Sequence, residues 1–338
     1  MVRYDLRLLA LAATLFGAGC SASQMAGSWA PAPATDAGHA VRTAKTKFVE
    51  YTNGISPYAG PRGIINSPSG IWFTEPGDDK IAKISSSGAV REFSVTAGTA
   101  PNNIAYGSDK ALWYTEATDA IGRMTASGHV KDYPVGSALS GPWDIALGAD
   151  GAMWFTLRSP VSSSYYNAIG RITTSGAVAL YTAGLSAGDI AVHDIALGPD
   201  GNMWFTESYG NRVGSITPGG TITEYSAGIS PYSGPVDVTA GPDGNVWFTE
   251  SAGNVARITT AGTVTEFPLG ATAGAITAFG NYVWVCESSP DQLARVDMSG
   301  NVTNYSIPGQ ACSQDTPLKK SLWITDSKGN GLIKGSGL

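Results

Sequence analysis

The chain has few residues of the kinds that most often carry protein chemistry. Its 338 residues include three histidines and three cysteines, and only 14% of them are charged. So few zinc-binding side chains leave little material for a dedicated structural zinc site. The net charge of −6 gives no basic surface for nucleic acid, which excludes that class of partner. No long stretch has apolar residues at spacings of three and four, which excludes a mainly helical protein.

Long hydrophobic runs are also scarce, and the clearest one covers residues 8–19. Arg3 and Arg7 precede this run, and Cys20 follows it. The run is too short to form a stable membrane span and is typical of a secretory signal. Small residues precede Cys20, as they do in the cleavage box of bacterial lipoproteins. We therefore predict a lipoprotein signal peptide over residues 1–20, with a lipid on Cys20.

The following segment, residues 21–46, is rich in Ser, Ala, Pro and Thr and predicts a flexible linker. Together the two segments predict an exported protein of the bacterial cell envelope, in the periplasm or on the outer surface. We expect it to meet the membrane only through its lipid anchor. The alternative to lipidation is simple cleavage near Ala22, which would release a secreted protein.

Glycine is abundant, with 43 residues, and one phrase, Trp-Phe-Thr-Glu, recurs along the chain. Copies or near copies of this phrase begin 37 to 50 residues apart, at Trp72, Trp113, Trp154, Trp204, Trp247, Trp284 and Trp323. A period near forty residues, made of short strand-like runs and Gly, Asp and Asn turns, is typical of a propeller blade. Seven copies predict an all-β, seven-bladed β-propeller over residues 47–338.

One repeat divides into four strands joined by tight turns. Its strand-like segments are residues 221–225, 236–241, 245–250 and 255–259. Asp-Gly and Gly-Asn pairs in the turns favour hairpins, so we expect four antiparallel strands in each blade. Residues 47–51 match the last strand of a blade, whereas the end of the chain matches a third and a fourth strand. The N-terminal strand is therefore predicted to complete the seventh blade and close the ring.

Two positions of each repeat are predicted to share one face of the propeller. The first is the starting residue, which comes just before the strand that lines the central channel. The second is the acid that ends the Trp-Phe-Thr-Glu phrase. In blade four these positions hold His193 and Glu207. The starting residues of the other blades are Arg62, Asn102, Trp143, Val236, about Gly274 and about Cys312.

Acids end the phrase in six of the seven repeats, as Glu75, Glu116, Glu207, Glu250, Glu287 and Asp326, whereas blade three has Leu157. A residue present in nearly every repeat is most simply a structural device of that repeat. We expect its partners to be backbone amides of the adjacent turn or the basic residues of the following strand. Those basic residues are Lys83, Arg123, Arg171, Arg257, Arg295 and Lys334.

Blade three departs from the repeat by a longer loop, residues 158–167, which we place on the face of His193. Aromatic and polar side chains around a channel mouth suit a small-molecule, peptide or glycan ligand. The predicted ligand-binding residues are Trp143, Arg158, Tyr165, Tyr166, Tyr209, Tyr232 and Tyr58. The alternative is that these tyrosines are ordinary exposed residues of loops. We expect the protein to be a monomer.

Two cysteines remain in the propeller segment. Cys286 and Cys312 fall in blades six and seven, so an inter-blade disulfide is possible in an oxidising compartment.

The wording of the repeats resembles that of the streptogramin B lyase family over nearly all of residues 47–338. The segments that carry the resemblance are GPDGNMWFTE (198–207), AIGRITTSG (168–176) and GTVTEFPLG (262–270). It implies a seven-bladed propeller and an enzyme that opens the ester of a cyclic depsipeptide antibiotic by elimination. It also implies a magnesium ion that polarises a carbonyl and a histidine that removes the proton alpha to it.

The resemblance implies that His193 is the catalytic base, that Glu207 is its partner, and that Glu207 and Glu250 are the metal ligands. The family has histidines as starting residues in two adjacent blades, with a glutamate two residues before the second. If His193 is the second histidine, the other two positions hold Trp143 and Ala191.

If His193 is instead the first histidine, those positions hold Val236 and Gly234, and only Glu250 matches. Either assignment leaves one histidine and one acid absent. The sequence therefore predicts a ligand- or partner-binding module with no certain cofactor. The alternative is a magnesium-dependent C–O lyase that opens the lactone of streptogramin B-type depsipeptides.

Overall fold

The computed structural model describes residues 47–136, 141–158, 167–188, 191–288, 290–309, 312–318 and 320–338. Among these residues, no helix is long and apolar enough to cross a membrane. The predicted signal peptide, the linker and Cys20 lie outside the described residues.

The described residues form seven four-stranded antiparallel sheets, each of which is one blade. The first strands, which pack against one another around the channel, are β2 (Ile64–Ser67), β6 (Pro101–Tyr106), β10 (Gly141–Leu147), β14 (Val192–Leu197), β18 (Pro235–Ala240), β22 (Thr272–Phe279) and β26 (Cys312–Leu318). The second strands are β3 (Gly70–Glu75), β7 (Leu112–Glu116), β11 (Met153–Arg158), β15 (Met203–Glu207), β19 (Val246–Glu250), β23 (Tyr282–Ser288) and β27 (Ser321–Asp326).

The outer half of each blade follows the same order. The third strands are β4 (Lys80–Ile84), β8 (Ala120–Met124), β12 (Asn167–Ile172), β16 (Arg212–Ile216), β20 (Asn254–Ile258), β24 (Gln292–Asp297) and β28 (Gly331–Ser336). The outermost strands are β5 (Val90–Ser94), β9 (Val130–Pro134), β13 (Val178–Tyr181), β17 (Ile222–Tyr225), β21 (Val264–Pro268), β25 (Val302–Ser306) and β1 (Lys47–Tyr51). One 3-10 turn covers Pro76–Asp78.

The N-terminal strand β1 closes the ring, as the sequence predicts. It pairs antiparallel with β28, the third strand of blade seven, so that Lys47 lies opposite Ser336 and Tyr51 opposite Leu332. This pairing completes a blade whose other strands come from the C-terminal end of the chain. Because β1 pairs with it, β28 is not left as an edge strand of blade seven.

The repeated Trp-Phe-Thr-Glu phrase forms the second strand, which is buried on both faces because blades pack on either side. Trp204 shows the arrangement: it packs with Val238 and Phe248 of the next blade. Within its own blade, its ring stacks on Tyr225 of the outermost strand, with centroids 5.3 Å apart. Aromatic residues thus join the outer strands of each blade and also fill the space between blades.

The threonine of the phrase links neighbouring blades by hydrogen bonds. The Thr206 hydroxyl accepts the N–H of Asp194 at 3.1 Å and donates to the carbonyl of Val236, in the next blade, at 2.7 Å. The same two bonds are made by Thr74, Thr115, Thr156, Thr249 and Thr325. Each threonine therefore satisfies two buried backbone groups at the inner edge of the ring.

Blade six has a cysteine in place of this threonine. Cys286 is joined by a disulfide to Cys312 of blade seven, with Cα atoms 5.4 Å apart. A covalent bond therefore connects the two blades at the point where a hydroxyl connects the others. Cys312 lies opposite Asp326, as Val192 lies opposite Glu207 in blade four. Cys312 is therefore equivalent to the residue before His193, and the starting residue of blade seven is Ser313.

Candidate functional site

The basic residues of the third strands do not pair with the ring of acids. The register places Arg257 opposite Trp247, and its guanidinium carbon lies 5.7 Å from the centroid of that ring. The equivalent residues that lie over the tryptophan of their own blade are Lys83, Arg123, Arg171, Arg295 and Lys334. The expectation that these bases partner the acids is wrong, because the acid lies three residues beyond the tryptophan. The backbone-amide alternative applies at Asp326, which accepts the N–H of Gly329 at 2.7 Å.

In four blades the acid of the phrase instead lies beside a second carboxylate, on the outermost strand. Glu207 lies next to Glu224, and Nη1 of Arg212 is 3.8 Å from the first carboxylate and 3.5 Å from the second. The corresponding pairs are Glu75 with Glu92, Glu116 with Asp132 and Glu250 with Glu266. Blade three has leucine in place of both carboxylates, and there Leu157 packs with Leu180.

These carboxylate pairs hold a proton and also hold the loop that enters the blade. Burial, with a smaller contribution from Glu224, raises the pKa of Glu207 to about 8. Burial likewise raises the pKa of Glu250 to about 7. The outer carboxylate of blade four accepts both the N–H and the hydroxyl of Ser186 in the entering loop. Since Ser56 and Ser230 bond to their outer acids in the same way, the pairs belong to the scaffold.

A stack of aromatic and cationic side chains occupies the channel mouth on this face. The rings of Trp143 and His193 have centroids 5.2 Å apart. The guanidinium carbon of Arg158 lies 3.6 Å from the Trp143 centroid, and that of Arg62 lies 5.6 Å from it. Trp143, His193 and Arg62 line a cavity of about 240 Å³. The mouth therefore offers an aromatic surface and two positive charges to a ligand.

His193 is neutral at physiological pH. Burial lowers its pKa to about 4, and the charges of Arg158 and Arg62 lower it further, against a hydrogen bond with the backbone of Val236. Its Nδ1 is out of solvent and has no hydrogen-bond partner in the described part of the chain. The imidazole thus carries no carboxylate neighbour there that would orient it or raise its basicity.

The structure does not bring Glu207 or Glu250 to His193. Within the described residues, Glu207 contacts Arg212 and Glu224 on the outer strands, whereas His193 contacts the channel mouth. Glu250 accepts a hydrogen bond from Asn254 at 2.9 Å. The described residues contain no group of three or more His, Cys, Asp or Glu side chains that could hold a metal ion. The predicted ligands therefore do not fit a magnesium site there.

Three aspartates lie below the mouth, in successive blades, and sequence reasoning did not include them. Asp144 accepts the N–H of Ile195 at 2.9 Å, and Asp194 accepts that of Val238 at 2.9 Å. Burial and the neighbouring carboxylate raise the pKa of both aspartates well above the usual range. With Asp237, they line a second channel cavity of about 210 Å³. An Asp directly after the starting residue in three consecutive repeats was the signal that could have identified them.

Three of the predicted tyrosines lie in loops at the rim of the same face. Tyr58 and Tyr232 are 92% and 95% exposed, and Tyr209 is 75% exposed. Such exposure leaves their rings available to a ligand large enough to reach the rim. Tyr165 and Tyr166 lie outside the described residues. Arg62, which sequence reasoning treated only as a starting residue, joins the stack because its side chain reaches towards Trp143 across blade two.

Comparison with known proteins agrees with this architecture. The family model described as the Virginiamycin B lyase family matches residues 32–226 and 162–333. A streptogramin B lyase structure is 29% identical with a TM-score of 0.78, and the match covers 86% of this chain and 97% of that chain. Virginiamycin B lyase from Staphylococcus aureus, as a catalytically inactive histidine-to-alanine variant with quinupristin, is 30% identical with a TM-score of 0.80.

That second match covers 87% of this chain and 100% of the other. No curated protein matches the sequence. The predicted resemblance is confirmed, and the chain belongs to the virginiamycin B lyase family.

Proposed function

We propose that this protein is a ligand-binding propeller of the virginiamycin B lyase family. The observation that carries the proposal is the stack of Arg158, Trp143 and His193 at the channel mouth. An indole face beside guanidinium groups suits a small molecule, peptide or glycan that has both apolar and polar surfaces. The exposed tyrosines at the rim extend that surface for a larger ligand.

The described residues at this mouth do not provide the oriented general base that an elimination reaction needs. A general base works best when its pKa is near the working pH, and the pKa of His193 is lowered to about 4. No carboxylate among the described residues orients the imidazole, since its Nδ1 has no partner there. His193 is therefore poorly suited to remove a proton from carbon, and its ring instead packs on Trp143 as part of the binding surface.

The second candidate function is a magnesium-dependent C–O lyase acting on streptogramin B-type depsipeptides. Family membership favours it, as does the neutral state of His193. In this case His193 is the base. The bound magnesium would polarise the carbonyl of the substrate, but the described residues do not assemble its ligands.

Titration calorimetry with quinupristin, followed by envelope peptides and glycans, tests the binding proposal. We expect one of these ligands to bind, and Trp143→Ala or Arg158→Gln to weaken that binding about ten-fold. Arg91→Gln is the matched control, because Arg91 also lies over an aromatic ring, 4.6 Å from the Phe93 centroid, but on an outermost strand. Failure of every ligand, or equal weakening by Arg91→Gln, would contradict the proposal.

We further propose that the protein is exported to the bacterial cell envelope and held there through a lipid on Cys20. The support is the basic and apolar leader that ends at this cysteine. Labelling a bacterial culture with radioactive palmitate tests this directly. We expect label on the wild-type protein and none on Cys20→Ala, and label on both proteins would contradict it.

A further inference from the structure

The face opposite the channel mouth carries the turns between the first and second strands. In blades two to five this turn is five residues long, as between Ala240 and Val246, and contains an aspartate. Asp243 accepts the indole N–H of Trp247 at 3.0 Å and lies 3.4 Å from Nη1 of Arg257. The other aspartates that accept the indole N–H of their blade are Asp109, Asp150 and Asp200. A carboxylate at this place therefore satisfies the indole, and in blades two, three and five it also pairs with the base above the ring.

Blades one, six and seven have two-residue turns and lack this aspartate. Blade six fills the space with Tyr282, on which the guanidinium of Arg295 lies at 4.4 Å, and its indole N–H bonds to the carbonyl of Phe279. Blade one uses the hydroxyl of Ser69, which accepts the indole N–H of its tryptophan at 2.9 Å. Both blades therefore have a substitute for the missing carboxylate.

Blade seven has no such substitute in the described part of the chain. Trp323 is 1% exposed, and its indole N–H has no hydrogen-bond partner among the described residues. Lys334 lies over the same ring, with its Nζ 5.2 Å from the centroid. The indole N–H of Trp323 and the ammonium of Lys334 are thus placed like those of Trp247 and Arg257 in blade five. In blade five Asp243 contacts both groups, and blade seven has no such acid among the described residues.

Blades one and seven are neighbours in the ring, and both carry a small residue where blade six has Tyr282. Gly70 and Ser321 occupy that register position, so a groove of about 1120 Å³ lies between the two blades. Its described lining includes Lys83, Lys320 and Lys334 and no aspartate or glutamate. Three positive charges therefore face one groove without an acid among the residues that line it.

We propose that this groove binds a phosphate-bearing ligand, whose oxyanion takes the place of the missing aspartate. The phosphate accepts the indole N–H of Trp323 and pairs with Lys334 and Lys83, while Lys320 lies at the entrance. Lysine can bind phosphate because its ammonium acts as a mobile point charge. The site lies on the face opposite His193 and does not depend on the function proposed for the mouth.

Titration of the purified protein with inorganic pyrophosphate tests this site. The indole N–H resonance of Trp323, identified by its absence in Trp323→Phe, is followed by NMR. We expect a saturable shift of this resonance and about ten-fold weaker binding in Lys334→Gln. Lys131→Gln is the matched control, since Lys131 lies over the Tyr133 ring at 4.4 Å on the outermost strand of blade two. Binding by this control should equal that of the wild type.

A second variant keeps the test decisive if Lys334→Gln is poorly folded. Ser321→Tyr copies the side chain of blade six into blade seven, and we expect it to block pyrophosphate binding while the circular dichroism spectrum is retained. The absence of a Trp323 shift in the wild type would overturn the proposal. Equal weakening of binding in Lys334→Gln and Lys131→Gln would also overturn it, because it would indicate general screening.

Vesicles distinguish the two sources of such a phosphate. Co-sedimentation with phosphatidylglycerol vesicles but not phosphatidylcholine vesicles, lost in Lys334→Gln, would assign the phosphate to a lipid headgroup. Pyrophosphate binding without binding to either vesicle would assign it to a soluble phosphorylated molecule.

Discussion

The guanidinium carbon of Arg158 lies 3.6 Å from the centroid of the Trp143 ring. The two residues come from the first and second strands of blade three, the blade that departs most from the repeat. His193 packs on the same indole from the next blade. The irregular blade thus supplies Arg158 and Trp143, two of the three groups at the channel mouth. The charge of Arg158 lowers the pKa of the third, His193.

Arg158→Gln is expected to raise the pKa of His193. Burial is the main cause of the low value, about 4, and the charge of Arg158 is the second. Removal of that charge should therefore move the pKa part of the way towards 6.5. NMR titration of the His193 ring protons measures it, with Arg91→Gln as the control. An unchanged pKa in Arg158→Gln would show that this contact does not persist in solution.

The free energy of unfolding should rise with pH between about 4 and 6.5 because of His193. In that window the unfolded chain binds a proton that the folded imidazole, with its lowered pKa, does not. We expect His193→Gln to remove about 2 kcal/mol of this rise. Urea unfolding at pH 4.5 and pH 7 provides the comparison, and an identical rise in the variant would contradict the assignment.

Glu207 should act in the opposite direction. Its pKa is raised to about 8, so the folded protein keeps a proton that the unfolded chain loses above pH 4.5. The free energy of unfolding therefore falls as the pH rises from about 4.5 to about 8. Glu207→Gln is expected to be more stable than the wild type at pH 8, by on the order of 1 kcal/mol, but not at pH 4. Glu50→Gln, at an exposed position of β1, is the control. Equal effects at both pH values would argue against a buried, protonated Glu207.

Thr206→Val should destabilise the protein by about 2 kcal/mol, because the buried N–H of Asp194 loses its partner and the carbonyl of Val236 keeps only its hydrogen bond with His193. Thr206→Ser keeps the hydroxyl and should recover most of the loss. Thermal unfolding of the two variants measures the difference. If the serine variant were as unstable as the valine variant, packing of the methyl group and not the hydrogen bonds would explain the effect.

Much of the fold could be predicted from the sequence, because blade formation depends on local signals. The Trp-Phe-Thr-Glu phrase, the Asp-Gly turns and the match of residues 47–51 to an outermost strand are each readable within a few residues. The same logic placed His193 and Trp143 at one mouth. Their contact distance depends on side-chain directions in neighbouring blades, which no local pattern contains.

The partners of the acids could not be predicted, because they depend on sheet register. Glu207 and Glu224 lie two strands apart, and their proximity follows only once β15, β16 and β17 are aligned. The bases lie opposite the tryptophan of the second strand, whereas the acid lies three residues further along that strand, so the predicted pairing of acids and bases does not form. The missing indole partner of Trp323 likewise depends on the two-residue turn of blade seven, whose length is set by strand register.

Incubation of the purified protein with quinupristin, with and without magnesium, tests the central claim most directly. The reaction is followed by chromatography and mass spectrometry. If the mouth binds ligands without catalysing elimination, the antibiotic remains unchanged in both samples. A new product of unchanged mass that requires magnesium and disappears in His193→Ala would contradict the account and establish the lyase.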